Sequence, residues 1–286
     1  MGLTKLLRVS DRLERAEGLD GVVGPVQRMV RKIPPGGFRD ALHGVWLGHP
    51  LHPLLVQVPI GAWLSAALLD ASGNGERHAR RLIGTGLLAA VPAALAGSSD
   101  WAEQHEQQMR VGVVHAAANT TAITLYLGSL LARSRQRITL GKALGYAGLA
   151  AIAAGGMLGG DISYRQAGGA NHAEAIPHLV EPGWHDLMPA ESLDEGRASR
   201  TALGEVPLLV VRKGSQVYVL ADRCAHLSGP LSDGELTDGC VTCPWHGSMF
   251  RLEDGSVARG PATAPQPAFE TRVRDGIVQV CLPGAG

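Results

Sequence analysis

The chain has 286 residues, with 26 basic and 26 acidic side chains and a formal net charge of zero. That balance gives no hint of nucleic-acid binding, and no nucleic-acid partner is expected. The length allows one or two domains, and the apolar residues gather in the middle of the chain rather than spreading evenly.

Residues 1–45 are polar and basic, with Lys5, Arg8, Arg12, Arg15, Arg28, Arg31, Lys32 and Arg39. Leu6, Leu7, Leu13 and Val26 give partial helical spacing, and Pro34-Pro35-Gly36-Gly37 breaks any helix. No short apolar core with a small-residue cleavage site marks a signal peptide. The expectation is a basic arm on a membrane surface or on its own domain, with a solvated tail as the alternative.

Residues 46–160 read as an all-α bundle of four transmembrane helices. The uncharged apolar runs Pro53–Leu69, Leu82–Ser99, Val111–Ala132 and Ala143–Gly160 are each long enough to span a bilayer. Gly141 and Gly145, Gly155 and Gly159, and Gly156 and Gly160 stand four apart, which suits close packing of the fourth helix. Pro59 and Pro92 fall inside spans. The opening segment 48–61, GHPLHPLLVQVPIG, resembles the DUF2231 family, bacterial four-helix membrane proteins of uncharacterised function. That resemblance covers roughly residues 40–165 and implies a multi-pass protein of the bacterial inner membrane, with the lipid bilayer as partner.

Residues 161–182 turn polar, with Gly168, Gly169, Asn171 and Pro177, and read as a linker. Such a linker allows a pivot, or docking through Ile176, Leu179 and Val180. Residues 183–286 read as a small all-β domain. Leu208–Arg212 and Gln216–Leu220 flank a three-residue turn, Lys213-Gly214-Ser215. Glu253-Asp254-Gly255 and Asp275-Gly276 mark two more hairpins.

This last segment carries Cys224-Ala225-His226 and Cys243-Pro244-Trp245-His246. Each loop offers one thiolate and one imidazole, so a Cys2His2 set is split evenly between two loops. A zinc finger groups its ligands differently, with paired Cys in one arm and paired His in the other. A structural zinc site that recruits Cys240 is the alternative. Leu227, Gly229, Pro230, Pro244, Gly247, Ser248 and Phe250 complete a pattern that resembles the Rieske [2Fe–2S] family. The resemblance implies two cysteines on one iron and two histidines on the other. It places Ser248 as a hydroxyl donor to a bridging sulfide, and Leu227, Trp245 and Phe250 around the cluster. High-potential members carry a further Cys in each loop, joined as a disulfide; here those positions hold Gly229 and Trp245. Phe250 stands where those members carry a Tyr donor. The stretch 260–267 resembles the proline-containing loop that shields the cluster. A low-to-middle potential within the family's range is expected. Cys240 and Cys281 match no ligand position and are expected to be buried in packing.

No carboxylate with the downstream histidine pair of an oxygenase iron site follows the cluster motif, so an oxygenase catalytic subunit is not expected. The reading is a one-electron carrier in a quinone-linked chain or one supplying a separate oxygenase. The alternative is a redox sensor whose cluster state alters membrane-domain packing.

Four spans put residues 1–45, the loop between the second and third helices, and the cluster domain on one side. The other loops are basic, with Arg77, Arg80 and Arg81, then Arg133, Arg135, Arg137 and Lys142, which argues for an outside cluster. The basic arm, the lack of an export signal and the missing disulfide argue for the cytoplasm, and that is the side expected. His49, His52 and His115 fall at one depth, on the cluster side. His52 and His115, with His49 and Gln57 as neighbours, are candidates for a haem b or quinone site. Capping of helix ends and pairing with Asp100 and Asp161 is the alternative role.

Overall fold

The computed structural model describes residues 3–73 and 75–283, and the side chains from residue 9 onward, so Lys5 and Arg8 of the basic arm lie outside the described side chains. The helices in chain order are α1 (Leu3–Glu14), α2 (Asp20–Val30), α3 (Gly37–His43), α4 (His52–Leu55), α5 (Gln57–Ser72), α6 (Glu76–Trp101), α7 (Glu106–Ser134), α8 (Ile138–Gly160) and α9 (Ile176–Leu179). The chain divides into two compact units. One holds residues through Pro34 together with Pro50–Gly168; the other holds Pro35–His49 together with Gly169–Gly286. This differs from the division expected from sequence. Residues 35–49 leave the arm for the β unit, and most of the expected linker joins that unit as well.

The helical unit is built on α5 to α8. Among the described residues, three stretches are long and apolar enough to cross a membrane: His52–Ser72, Glu76–Trp101 and Ile138–Arg165. Glycines let the helices approach closely. Trp63 of α5 stacks on Tyr126 of α7 with ring centroids 4.2 Å apart. A Cβ on Gly86 would sit 2.3 Å from the Trp63 indole nitrogen, and one on Gly148 would sit 2.9 Å from the Tyr126 ring. Gly141, Gly145, Gly155 and Gly159 of α8 all face α7 side chains, whereas Gly156 and Gly160 meet nothing within 4 Å. The glycine spacing is therefore used along one face of α8 only.

At the end of the bundle where α5 stops and α6 starts, Arg133 of α7 is fully buried. It donates to Asp70 through both terminal nitrogens and to Glu76 at 2.6 Å. The opposite end receives the N-terminal helices. Arg110 grips both Asp20 oxygens at 2.7 Å, and Arg31 grips both Glu103 oxygens at 3.1 and 2.8 Å. The hydrogen bonds from Arg110 hold the Asp20 carboxyl below its usual range. Ser10 is buried and donates to Asp161, and Val23 is buried. Residues through Pro34 are thus a docked part of the helical unit: Arg31 pairs with Glu103 at the bundle end, and Arg110 and Arg165 pair with carboxylates on α2 and α1.

The β unit has two antiparallel sheets. The strands are β1 (His185–Pro189), β2 (Ala198–Leu203), β3 (Val206–Lys213), β4 (Gln216–Ala221), β5 (Glu235–Thr237), β6 (Cys240–Thr242), β7 (Met249–Arg251), β8 (Val257–Arg259), β9 (Ala268–Arg274) and β10 (Ile277–Cys281). The larger sheet runs β1-β10-β9-β4-β3-β2 and the smaller β5-β6-β7-β8. Lys213 pairs with Gln216, so the β3–β4 turn is the two residues Gly214-Ser215 rather than the expected three. Gly214 has a φ of +60°, as a turn with glycine at its first central position requires. Ala173, Ile176 and Val180 are buried in this unit's core, so the expected linker docks. Cys240 and Cys281 are half-buried free thiols on β6 and β10, not the fully buried residues expected.

Candidate metal centre

The first loop leaves β4 of the larger sheet and the second joins β6 to β7 of the smaller one, so each sheet delivers one Cys–His pair. Both loops fold back on their own cysteine. The Ser228 N–H donates to the Cys224 carbonyl at 2.8 Å, and the Cys224 N–H donates to the Gly229 carbonyl at 2.9 Å. In the second loop the Gly247 N–H donates to the Cys243 carbonyl at 3.0 Å, and the Cys243 N–H donates to the Ser248 carbonyl at 2.8 Å. Gly247 takes a φ of +75°, which a side chain would strain. Asp222 anchors the base of the first loop. It is buried and accepts from the Ser232 N–H at 2.6 Å and its hydroxyl at 3.1 Å.

The four candidate donors come together in two pairs. The Cys224 and Cys243 sulfurs lie within hydrogen-bond reach of each other. The Cys224 thiol proton, shared toward Cys243, lowers the Cys243 thiol to about 7, and the neighbouring sulfur together with burial pushes Cys224 up. The His226 and His246 ring centroids are 5.1 Å apart and nearly perpendicular. Both cysteines are buried; both histidines are half-buried. A Cβ on Gly229 would lie 2.8 Å from the Cys243 sulfur and 3.0 Å from the Trp245 ring, so only glycine lets the two loops close to this distance.

The family described as Rieske [2Fe-2S] domain matches residues 183–270. The ferredoxin subunit of anthranilate 1,2-dioxygenase from Burkholderia cepacia is 32% identical over 97 residues, which is 34% of this chain and 90% of that protein. Ferredoxin CarAc from Metapseudomonas resinovorans is 36% identical over 98 residues, 34% of this chain and 92% of that protein. The chain belongs to the Rieske [2Fe–2S] family. A second family, described as Predicted membrane protein (DUF2231), matches residues 48–172, so the Rieske domain is fused to a DUF2231 domain. The oxygenase component of dicamba O-demethylase from Stenotrophomonas maltophilia is 33% identical over 110 residues, but only 32% of its length is matched.

Within the Rieske domain, the residues expected around the cluster sit close to the loops. Ser248 is fully buried and its hydroxyl oxygen accepts the Ala262 N–H at 3.0 Å. That bond occupies a lone pair and leaves the hydroxyl proton for another acceptor. Phe250 and Leu227 are buried, whereas Trp245 is 49% exposed, with its ring 6.4 Å from that of His246. Gln266 escaped the sequence reading. It is buried, accepts from the Ala225 N–H at 2.9 Å, and donates to the Ala221 and Arg223 carbonyls at 2.7 and 2.6 Å. One side chain thus braces three backbone groups of the first loop. Its place between Pro265 and Pro267 is the one local mark it carries. His172 adds a fourth brace, its N–H donating to the Ala225 carbonyl at 2.9 Å.

The membrane histidines divide. His52 and His115 meet in the helical unit, with ring centroids 6.4 Å apart. The His52 Nδ1 bonds the Ala93 carbonyl at 2.8 Å, and the His115 Nδ1 bonds the Gly155 carbonyl at 2.7 Å. Asn119, which the sequence reading passed over, contacts the His115 Nε2 at 2.9 Å. His49 groups with the other unit, and the Gln57 side chain donates to the Pro53 carbonyl at 3.4 Å. Asp161 pairs with Ser10, Arg165 and Gln166 rather than with a histidine.

Proposed function

We propose that the protein is a membrane-anchored one-electron carrier whose Rieske domain holds its cluster through Cys224, Cys243, His226 and His246. The observation that carries this reading is the division of donors into a sulfur pair and an imidazole pair. Among the described residues, no three His, Cys, Asp or Glu side chains gather as a single ion would need. Tetrahedral zinc needs four donors about one point, whereas two pairs suit a binuclear centre, so the donor set fits a [2Fe–2S] cluster. When bound, the cluster supplies reversible one-electron transfer at a potential raised by imidazole ligation. The two cysteines supply the anionic donors. His226 and His246 are half-buried, and each keeps a second ring nitrogen on which a proton is held or released as charge changes. Leu227 and Phe250 exclude water, and the Ser248 hydroxyl offers a proton to a sulfur. With no disulfide and no hydroxyl at Phe250, the midpoint falls low to middle in the span of roughly −150 to +300 mV. Redox titration followed by electron paramagnetic resonance should find it below about +200 mV at pH 7. A colourless, zinc-loaded protein overturns the reading.

A separate oxygenase is the electron acceptor we favour. Support comes from the near-complete match to two ferredoxins, one of them the subunit of a dioxygenase, against a match to a third of an oxygenase component. A quinone headgroup near His52 is the finer alternative source of electrons. Its ring donates through Nδ1 to a helix carbonyl, which leaves Nε2 to accept a quinol hydroxyl proton. Haem b is less well supported, because the His115 Nε2 already faces Asn119. Quinol-driven reduction should fall at least tenfold in His52→Ala if this route is used; an unchanged rate leaves the bundle as an anchor.

The anchor crosses the bilayer four times in our reading. Residues on both sides of the bundle in sequence, 35–49 and 169–286, build one β unit, so the chain between them crosses an even number of times. Three stretches are apolar enough alone, and α7 supplies the fourth crossing. At 1.5 Å per residue its 29 residues reach roughly 43 Å, longer than the hydrocarbon core. Two of its threonines satisfy their hydroxyls on the helix itself, as lipid demands: Thr121 and Thr124 each donate to the carbonyl four residues back at 2.9 Å. Leu127 and Leu131 face outward. We assign the cluster domain to the cytoplasmic face of a bacterial inner membrane, on the lack of any disulfide among the described residues. Reporter fusions after Gln104 and after Ser134, on either side of α7, should read opposite faces, with the first one and a C-terminal fusion cytoplasmic. The same face after Gln104 and after Ser134 overturns the fourth crossing.

A further inference from the structure

The segment between the N-terminal helices and the bundle has no role in the function above, yet it sits against the loop that closes the cluster site. Helix α3 and the turn after it belong to the β unit. The Gly260 N–H donates to the Asp40 Oδ1 at 2.9 Å, across 220 residues of sequence. A Cβ on Gly260 would lie 3.2 Å from the Val45 side chain, 3.3 Å from the His43 ring and 3.4 Å from the Asp40 carboxylate. The segment therefore packs on bare backbone at this point, and His43 is buried there. Two residues further on, the Ala262 N–H donates to the Ser248 hydroxyl oxygen. The order of contacts is Asp40 to Gly260, through Pro261 to Ala262, and from Ala262 to Ser248.

We infer that residues 35–49 form a lid on the loop 260–267, and that Asp40 is a positioning residue which aims the Ser248 hydroxyl by fixing that loop. The inference rests on the cluster reading above. Ser248 is rigid because its lone pair is held by Ala262, and Ala262 is held because the Asp40 carboxylate grips the amide two residues earlier. A charge-assisted bond from a carboxylate to a backbone N–H is stronger than one from a neutral acceptor. Loosening it lets the loop breathe, admits water and weakens the proton that Ser248 offers to sulfur. That proton stabilises the more negative, reduced state, so its loss lowers the potential.

The test uses full-length protein in detergent with Asp40→Ala and Asp40→Asn. Asn keeps an acceptor oxygen in the same place, whereas Ala removes it. In Asp40→Ala, reduction should weaken two- to fourfold in its equilibrium, which is about 18–36 mV for one electron. Hydrogen exchange in a peptide covering 256–264 should speed up in the same variant. Asp40→Asn should recover most of both. An Asp40→Ala protein with unchanged potential and unchanged exchange overturns the lid. A wild-type protein with no Rieske spectrum instead defeats the cluster reading, and exchange at 256–264 still tests the lid by itself.

Discussion

Replacing both His226 and His246 by cysteine should lower the midpoint potential of the loaded protein by several hundred millivolts, toward about −400 mV. The physical cause is charge. Two neutral imidazoles become two thiolates, and each added negative charge disfavours a further electron. The pH dependence should disappear with the imidazoles, because no ring nitrogen remains to take up a proton. The site has room for the exchange in one respect only: thiolate is smaller than imidazole, so the loops must close slightly over the gap. The companion variant Cys243→Ser guards against a trivial failure, since it should lose the visible spectrum altogether. Unchanged potential and unchanged pH dependence in the double variant would show that His226 and His246 are not ligands.

The second large effect lies in the bundle. Arg133→Ala should destabilise the helical unit by about 3–5 kcal/mol, the range for stripping one partner from a buried ion pair. Arg133 is fully buried, and its side chain holds Asp70, itself 3% exposed, together with Glu76. Removing the guanidinium leaves a buried carboxylate with Lys142 committed to the Asp70 carbonyl oxygen rather than to its side chain. It also opens a gap beside Gly141, where the Arg133 stem fills the space a Cβ would occupy. Thermal unfolding in detergent measures the loss. Combining Arg133→Gln with Asp70→Asn should recover part of it, because neither charge then remains buried without a partner. A loss under 1 kcal/mol in Arg133→Ala would place this cluster among solvated pairs of little consequence.

Much of this architecture can be read in the residues. The C-x-H and C-x-x-H spacing marks the cluster loops because each donor type sits at a fixed offset from a turn. The hairpin at Asp275-Gly276 is legible because both residues take positive φ, 51° and 79°, which few residue pairs tolerate. Apolar runs mark α5, α6 and α8 by composition. Other features depend on partners far away in sequence and leave no local mark. Asp40 looks like any surface carboxylate until Gly260 is beside it. Gln266 becomes a brace only when three backbone groups converge on it. His49 and His52 look like one motif, yet the chain passes from one unit to the other between them. Nothing local marks Asn119 either, and its place beside His115 depends on the bare backbone of Gly155, where a Cβ would lie 2.4 Å from its side-chain oxygen.

The β unit is assembled from two stretches separated by the whole bundle, and this sets an order of events during synthesis. Asp40 leaves the ribosome 220 residues before Gly260 exists. At roughly 5–20 residues per second, that interval is on the order of 11–44 s. The whole helical bundle is made while the lid waits without its partner. The cluster site is therefore open when its cysteines first appear and closes only after residues 260–262 are made, which leaves a late window for iron and sulfide to be loaded before the lid seats. A fragment that starts at Gly169 would never close that window.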